Sequence, residues 1–187
     1  MIKLNIGCGL DYKESDDKSN WINVDSNRNI KADIYLDLNE SLPFSDCSVD
    51  YVLMDNVLEH INPGEYFSFL EEIHRICKPG AVIEIYVPHY SGMYALKHPT
   101  HYKYFGVGSF DIFRPEKCFN GERYSNARFN LISEKLLFFH HNLVNYRWLI
   151  RLPINWALNF SRSWQLLIEK FSLLKPDEMY YKLGVLK

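Results

Sequence analysis

The sequence predicts an α/β fold, with a doubly wound and mostly parallel sheet of about seven strands and a helical insertion before the last strand. Three observations predict it. Short apolar segments at Ile2–Ile6, Tyr51–Met54 and Ala81–Val87 have the composition of buried strands. An amphipathic helix separates the last two of these segments, which is the order of a parallel crossover. Late in the chain, a helical stretch at about 140–176 precedes a final strand at Glu178–Leu186.

In the first half of the chain, the sequence indicates where strands and a helix begin and end. Further short strands are expected at Trp21–Asp25 and Asp33–Leu38. The helix is expected to begin with Asn62 as its N-cap and Pro63 as its first residue, and Pro79-Gly80 should end it. Its apolar positions recur at helical spacing, namely at Tyr66, Phe69, Leu70, Ile73 and Ile76.

The second half is less regular. Residues 90–126 are rich in glycine, proline, histidine and aromatic residues and should form loops and short helices. The segment Phe129–Phe139 is expected to contain a strand with a bend. Residues 140–175 have helical character, and Pro153 should interrupt the helix.

Composition places the chain among globular proteins. It has 187 residues, of which 47% are apolar and 24% charged, so we expect a single domain over 1–187. A net charge of -2 argues against a nucleic-acid partner. There is no secretory-signal pattern, and the widely spaced cysteines form no Cys-x-x-Cys pair (Cys8, Cys47, Cys77 and Cys118). We therefore expect a cytoplasmic protein with reduced thiols.

A glycine loop follows the first strand. The strand runs into Gly7-Cys8-Gly9, and the second strand ends at Asp25, which can accept hydrogen bonds from ribose hydroxyls. A dinucleotide site needs a third small residue three positions after Gly9, where this chain has Tyr12. A nucleoside without phosphates does not need that residue, so S-adenosylmethionine fits better than NAD. A dinucleotide-dependent oxidoreductase stays open as the weaker alternative.

Five segments resemble the motifs of class I S-adenosylmethionine-dependent methyltransferases of the type 11 kind. They occur in the family's order, between residues 2 and 88, as Asn5–Gly9, Asn23–Asp25, Asp37-Leu38, Asp55–His60 and Arg75–Ala81. The resemblance implies a Rossmann-like fold and S-adenosylmethionine as cofactor. It also implies the cofactor-binding residues, which are Asn5, Gly7, Cys8, Gly9, Tyr12, Asp25, Ser26, Asp37, Leu38, Asp55, Asn56, Val57 and His60.

Several of these residues have a plain structural alternative. Gly7 and Gly9 would line the methionine part, Asp25 the ribose, and Asp37 or the Leu38 amide the adenine. Asp37 could equally be a solvated carboxylate, and Cys8 is best explained as a small residue in a tight turn. Tyr12 and Lys13 either cover the cofactor or are exposed loop residues.

One segment departs from the family pattern. Only Leu10–Asn20 lies between the glycine loop and the second strand, and it is too short and polar for the usual packed helix. We expect a loop and an open cofactor flank. This resembles a subgroup found among sugar- and cell-surface-polysaccharide-associated methyltransferases.

Histidines are the candidates for acceptor chemistry. We predict that His89, His98 or His101 contacts the acceptor, since a histidine pKa near neutrality suits a general base. The stretch His98–Phe105 resembles an HPTHxxxF segment of the same subgroup. Each of these three histidines could instead have a structural role.

Some relatives use the Glu59-His60 positions in acceptor chemistry or to hold a metal. No metal site is predicted here, because Pro99 disfavours a helical ligand face.

The insertion combines tryptophans with basic residues. Trp148, Trp156 and Trp164 lie among cationic positions, which are Arg147, Arg151, Arg162, Lys170 and Lys175. Three roles remain open for this insertion: peripheral contact with the inner membrane face, a lid over the acceptor site, or a dimer face.

For the whole chain, we expect a methyltransferase that acts on a small-molecule or carbohydrate/glycolipid acceptor, at oxygen. The alternative is a non-catalytic S-adenosylmethionine-binding protein. A nucleic-acid substrate lacks support, because no Asn/Asp-Pro-Pro-Tyr/Phe motif follows the fourth strand.

Overall fold

The computed structural model describes residues 1–116, 122–138, 148–171 and 174–187. Within these ranges the strands are β1 (Ile2–Ile6), β2 (Asn20–Asp25), β3 (Ile34–Tyr35), β4 (Val49–Asp55), β5 (Cys77–Pro88), β6 (Arg128–Leu137) and β7 (Glu178–Leu186). The helices are α1 (Tyr66–Ile76), α2 (Met93–Lys97), α3 (Trp148–Leu158) and α4 (Arg162–Phe171). The predicted α/β class and mostly parallel sheet are confirmed.

The strands form one sheet in the order β3-β2-β1-β4-β5-β7-β6. Strands β1 to β5 are parallel, whereas β7 runs antiparallel between β5 and β6. Ile6, at the end of β1, pairs with Val24 of β2 on one side and with Met54 of β4 on the other. The segments that follow these strands therefore meet at one sheet edge, at the point where the strand order reverses. Open α/β sheets bind their ligands at such a point.

Helix α1 covers this sheet with the predicted apolar face, whose residues are all buried. It begins at Tyr66, so the predicted start at Pro63 is wrong. Residues 62–65 form a separate turn, in which the Glu65 amide donates to the Asn62 carbonyl at 2.9 Å. The helix ends at Ile76 and leads directly into β5.

The pair Pro79-Gly80 lies inside β5 and does not precede it. The β4–β5 register moves from Val49–Cys77 to Tyr51–Val82, so β5 accommodates extra residues there. Gly80 supports this bulge with a φ of +78°.

The insertion packs against β6. The predicted bend in that strand is confirmed as a register shift between Leu131 and Ser133. Helix α3 continues through Pro153, so the predicted break there is wrong. The chain turns instead at Asn159, whose side chain accepts from the Leu136 amide and donates to the Leu136 carbonyl, both at 2.8 Å. In the described part of the chain, no helix is long and apolar enough to span a membrane.

Candidate active site

The glycine loop turns tightly at the end of β1. The amides of Gly7 and Cys8 both donate to the Val24 carbonyl, at 2.8 and 3.1 Å. Gly7 and Gly9 have φ angles of +64° and +52°, in the left-handed region that favours glycine. A Cβ on Gly7 would lie 2.5 Å from Val57 Cγ2, whereas one on Gly9 would meet nothing within 4 Å. Gly7 thus permits close packing, and Gly9 leaves open space beside the backbone.

The Asp25 carboxylate lies against this loop. Its Oδ2 accepts a hydrogen bond from the Gly9 amide at 2.9 Å, and its Oδ1 accepts one from the Asn27 amide at 2.8 Å. A carboxylate oxygen has a second lone pair, so both oxygens can still accept from a ligand hydroxyl. Asp25 is only half-buried, and the neighbouring Ser26 is exposed.

No helix forms between β1 and β2, as predicted. Buried Asn23 holds the loop instead. Its Nδ2 donates to the Lys13 carbonyl at 2.9 Å, and its Oδ1 accepts from the Lys13 amide at 2.8 Å. Asn5 Nδ2 donates to Asn23 Oδ1 and to the Asp11 carbonyl, at 3.1 and 2.8 Å. The two Asn5 amide hydrogens are therefore used within the protein, and this side chain shapes the loop that borders the site.

Tyr12 is fixed on the flank next to β3. Its hydroxyl donates to Asp33 Oδ1 at 2.6 Å, and Lys31 Nζ lies 3.7 Å from the ring centroid. The hydrogen bond to Asp33 raises the pKa of Tyr12. Burial alone would raise the pKa of Asp33, but hydrogen bonds from Tyr12 and Asn23 outweigh it and lower that pKa.

Cys8 fits the small-residue explanation. Its side chain is buried and its Sγ contacts the Lys31 carbonyl at 3.7 Å. Burial raises the pKa of the thiol, which opposes formation of a nucleophilic thiolate.

Asp37 and Leu38 follow β3. Asp37 is exposed, and its Oδ1 accepts from the amide and the Nδ2 of Asn39, at 3.0 and 2.9 Å. Leu38 packs partly against the core. Asp37 is therefore held in a local turn by Asn39, and its carboxylate remains accessible to solvent.

The segment after β4 reverses direction at Asn56. This residue has a φ of +55°, and its amide donates to the Tyr86 carbonyl at 2.9 Å. Its Nδ2 donates to Asp55 Oδ1 at 2.8 Å, which fixes that carboxylate at the end of the strand. Val57 follows as a buried residue packed on Gly7.

Three histidines meet beside this turn. The ring centroid of His60 lies 5.3 Å from that of His98 and 4.6 Å from that of His101. Thr100 Oγ1 lies 2.8 Å from His60 Nδ1 and 2.9 Å from His98 Nδ1. We call His60, His98 and His101 the histidine cluster. It joins two predicted acceptor residues to one predicted cofactor residue.

Burial and neighbouring imidazoles favour the neutral forms of His60 and His101. Burial lowers the pKa of His60, and the nearby His101 lowers it further. Burial likewise lowers the pKa of His101, with a smaller contribution from His98.

His89 does not belong to the cluster. It is 1% exposed; its Nε2 lies 2.8 Å from Glu169 Oε1, and its Nδ1 accepts from the Ser91 amide at 3.2 Å. An accepting Nδ1 places the proton on Nε2, so both nitrogens are engaged. The prediction of His89 as an acceptor-contacting base is therefore corrected: this side chain joins β5 to α4.

Two side chains beside the cluster lie outside the predicted set. Thr100 is one. The other is Glu59, which is 1% exposed and whose carboxylate oxygens have no hydrogen-bond partner among the described residues. Burial raises the pKa of Glu59 to about 8. Its carbonyl accepts from the amides of Tyr102 and Lys103, which anchors the histidine-bearing loop to the end of β4. Both residues are part of the sequence motifs; Glu59 was named there only with His60, and Thr100 was not singled out.

The insertion presents aromatic side chains to solvent. Trp156 and Phe160 are 73% and 76% exposed, and Trp164 is partly exposed. Arg162 is not a free cation, because it pairs with Asp111 and Glu134 at 2.8 and 2.9 Å. Arg147 lies outside the described residues, and the side chains of Trp148 and Arg151 are not described.

Residues 4–85 match the family model described as a methyltransferase domain. A crystal structure of an S-adenosylmethionine-dependent methyltransferase from Archaeoglobus fulgidus is similar at 20% identity over 98% of this chain and 85% of that one, with a TM-score of 0.57. Residues 4–85 therefore match the methyltransferase family, and the whole chain has the fold of S-adenosylmethionine-dependent methyltransferases. The comparisons support the predicted family and the predicted cofactor, S-adenosylmethionine.

Two other solved structures share the methyltransferase fold of this chain. A 1,6-didemethyltoxoflavin-N1-methyltransferase from Burkholderia thailandensis, with bound S-adenosylhomocysteine, is 12% identical over all of this chain and 71% of that one, with a TM-score of 0.53. The [4+2]-cyclase SpnF is 12% identical over 99% of this chain and 74% of that one, with a TM-score of 0.57. A comparison with curated protein sequences finds no match.

Proposed function

We propose that this methyltransferase transfers the methyl group of S-adenosylmethionine to a hydroxyl oxygen of a small-molecule or carbohydrate/glycolipid acceptor. One juxtaposition carries the proposal. The glycine loop with Asp25 and the histidine cluster both follow strands that end at the same sheet edge. A cofactor site and a set of imidazole side chains that can accept protons would then border one cleft.

The chain's own residues suit the cofactor. The open space at Gly9 admits a ligand beside the backbone, and Asp25 retains two oxygens for ribose hydroxyls. The Asp37 carboxylate is accessible for the adenine amino group, with the Leu38 amide next to it. Asp55 and Asn56 would border the methionine end. When bound, the cofactor supplies an electrophilic methyl group on a sulfonium.

The acceptor would then depend on positioning and deprotonation. Holding the hydroxyl in line with the methyl supplies much of the rate, because the leaving group is already activated. The imidazole of His98 or His101 can accept the hydroxyl proton. The lowered pKa of His101 keeps that ring neutral at pH 7, as a base requires.

Two features favour a carbohydrate or glycolipid acceptor, and hence a role in polysaccharide biosynthesis. The loop that replaces the first helix leaves one flank of the site without a packed element. The shortened segment also resembles that of polysaccharide-associated methyltransferases. We further propose a cytoplasmic location with peripheral contact at the inner membrane face, supported by the exposed Trp156 and Phe160.

A non-catalytic or non-methylating role is the second candidate, since the cyclase SpnF shares the fold. A dinucleotide is disfavoured, because Tyr12 is fixed by Asp33 and Lys31 where the third glycine would be needed.

Calorimetry tests the cofactor part of this proposal. We expect S-adenosylmethionine and S-adenosylhomocysteine to bind and NAD not to bind. Asp25→Ala should lower the affinity at least tenfold, whereas Asp17→Ala, an exposed acid in the neighbouring loop, should not change it. The absence of adenosyl-ligand binding would refute the cofactor assignment.

Transfer of labelled methyl groups to sugar and glycolipid acceptors tests the catalytic part. Incorporation into a sugar hydroxyl supports it. Cofactor binding without transfer to any acceptor tested, combined with turnover of a different kind, would favour the second candidate.

A further inference from the structure

We propose that the histidine cluster is a divalent metal site of the type that binds Zn²⁺. One ring nitrogen from each of His60, His98 and His101 lies within 4.8 Å of one from each of the other two. Three imidazoles are a ligand set that Zn²⁺ favours, with a fourth position left for water or substrate. Metal binding itself does not depend on the proposed methyl transfer; only its catalytic use does.

The hydrogen bonds select the proton position on His101. Its Nδ1 lies 3.1 Å from the Ala95 carbonyl oxygen. A carbonyl only accepts, so Nδ1 carries the proton and Nε2 has a free lone pair. Metal-bound histidines commonly donate their other ring N–H to a carbonyl in this way, which fixes the tautomer and the ring orientation.

Thr100 prepares the other two rings. Its Oγ1 contacts His60 Nδ1 and His98 Nδ1 at 2.8 and 2.9 Å. A hydroxyl oxygen has two lone pairs, so it can accept N–H donors from both rings at once. Both Nε2 atoms would then be unprotonated. No hydrogen bond to Nε2 of any of the three rings occurs within the described ranges.

Metal binding requires the three rings to move closer together. Tetrahedral coordination with Zn–N distances of about 2.1 Å brings ligand nitrogens to roughly 3.4 Å from one another, whereas one nitrogen of each ring now lies within 4.8 Å of one from each of the others. Two ligands lie on the loop after α2, and the third lies on the 3₁₀ turn Leu58–His60. The carbonyl of Glu59 already joins these two segments through the Tyr102 amide.

The observed positions of the three histidines do not require the helical ligand face that Pro99 disfavours. Pro99 does prevent His98 and His101 from sharing a helical face, and neither residue is in a helix. The third ligand instead comes from a segment that is distant in sequence, and stacking at an interplanar angle of 18° keeps the two loop rings side by side. With a metal bound, the ring lone pairs of His98 and His101 would be occupied, so the metal would replace them in activating the acceptor. An open coordination position would bind the acceptor hydroxyl and lower its pKa.

Cobalt spectroscopy tests the site without relying on activity. Untagged full-length protein, treated with a chelator and dialysed, is titrated with Co²⁺ and then with competing Zn²⁺. We expect one equivalent of Co²⁺ to bind with the visible absorption of a four-coordinate ion, and Zn²⁺ to abolish that absorption. His98→Ala and His101→Ala should each lose it. His74→Ala, a histidine on α1 outside the cluster, should retain it.

A positioning role for Thr100 is tested in the same assay. Thr100→Val should weaken Co²⁺ affinity by about 10- to 100-fold, whereas Thr100→Ser should restore it. Circular dichroism and binding of S-adenosylhomocysteine check that each variant is folded.

The metal inference is overturned if wild type shows no visible absorption, or if the cluster variants bind Co²⁺ as well as His74→Ala does. If S-adenosylhomocysteine binds in that case, the proposed cofactor site stands while the metal site fails. The reverse result, Co²⁺ binding without adenosyl-ligand binding, would leave the metal site intact and refute the proposed function.

Discussion

A Cβ built on Gly7 would lie 2.5 Å from Cγ2 of Val57, so the glycine loop and the segment after β4 pack in direct contact. Both segments border the proposed cofactor site. A change in one of them must therefore displace the other.

This contact predicts a difference between the two glycines. Gly7→Ala should cost about 2–4 kcal/mol of unfolding free energy, because it adds a steric clash to a strained backbone angle. Gly9→Ala should cost only about 1–2 kcal/mol, because its Cβ enters open space. Chemical denaturation measures both values. Val57→Ala combined with Gly7→Ala should recover part of the loss, and equal effects of the two single variants would contradict the packing argument.

Asn23 is expected to control the loop that replaces the first helix. Asn23→Ala removes the acceptor and donor that hold Lys13, and should cost roughly 2–4 kcal/mol. Limited trypsin digestion should then cleave faster at Lys13 and Lys18. Asn20→Ala is the matched control, since among the described residues its exposed side chain hydrogen-bonds only to Ser15 Oγ, at 3.4 Å. Unchanged cleavage in Asn23→Ala would show that other contacts hold the loop.

Thiol labelling should distinguish the cysteines. Burial raises the pKa of Cys77 to about 12, whereas a free thiol has a pKa of about 8.5. The thiolate is the reactive form, so folded Cys77 should stay unreactive from pH 7 to pH 10 and react in denaturant. Exposed Cys47 should label quickly. Mass spectrometry on a Cys118→Ser background gives the rates, and fast labelling of Cys77 in the native protein would contradict its burial.

Vesicle co-sedimentation tests the surface of the insertion. We expect wild type to bind anionic vesicles and the Trp156→Ala/Trp164→Ala variant to bind several-fold less. A Tyr94→Ala variant, which removes an exposed aromatic residue from α2, is the control. If wild type does not bind, membrane contact is excluded. Analytical ultracentrifugation then tests whether the same residues form a dimer face.

The sequence was sufficient for the parts of the fold that depend on local periodicity. The bounds of β7 agree with the prediction, and the apolar face of α1 is the predicted one. The helix start was misplaced because Asn62 and Pro63 are equally suited to an isolated turn. The predicted break at Pro153 is wrong because a single sequence does not show whether neighbouring contacts offset one missing hydrogen bond.

The candidate site likewise has features that local sequence predicts and features that depend on contacts between distant residues. The backbone turns at Gly7 and Gly9 and the position of Asp25 at the end of β2 were predictable, because they follow from backbone geometry close in sequence. The histidine cluster was not, because His60 and His98 approach each other only through the loop anchored on Glu59. The burial of His89 likewise depends on Glu169, a partner that is 80 residues away.

The Asn23 anchor also has a consequence for how this domain tolerates variation. A packed helix spreads its attachment over many side chains, so a single replacement loosens it only in part. Here two buried amide side chains make most of the attachment, because Asn23 holds Lys13 and Asn5 holds Asp11. Sequence variation should therefore be tolerated at most exposed loop positions and restricted at these two residues of the adjacent strands.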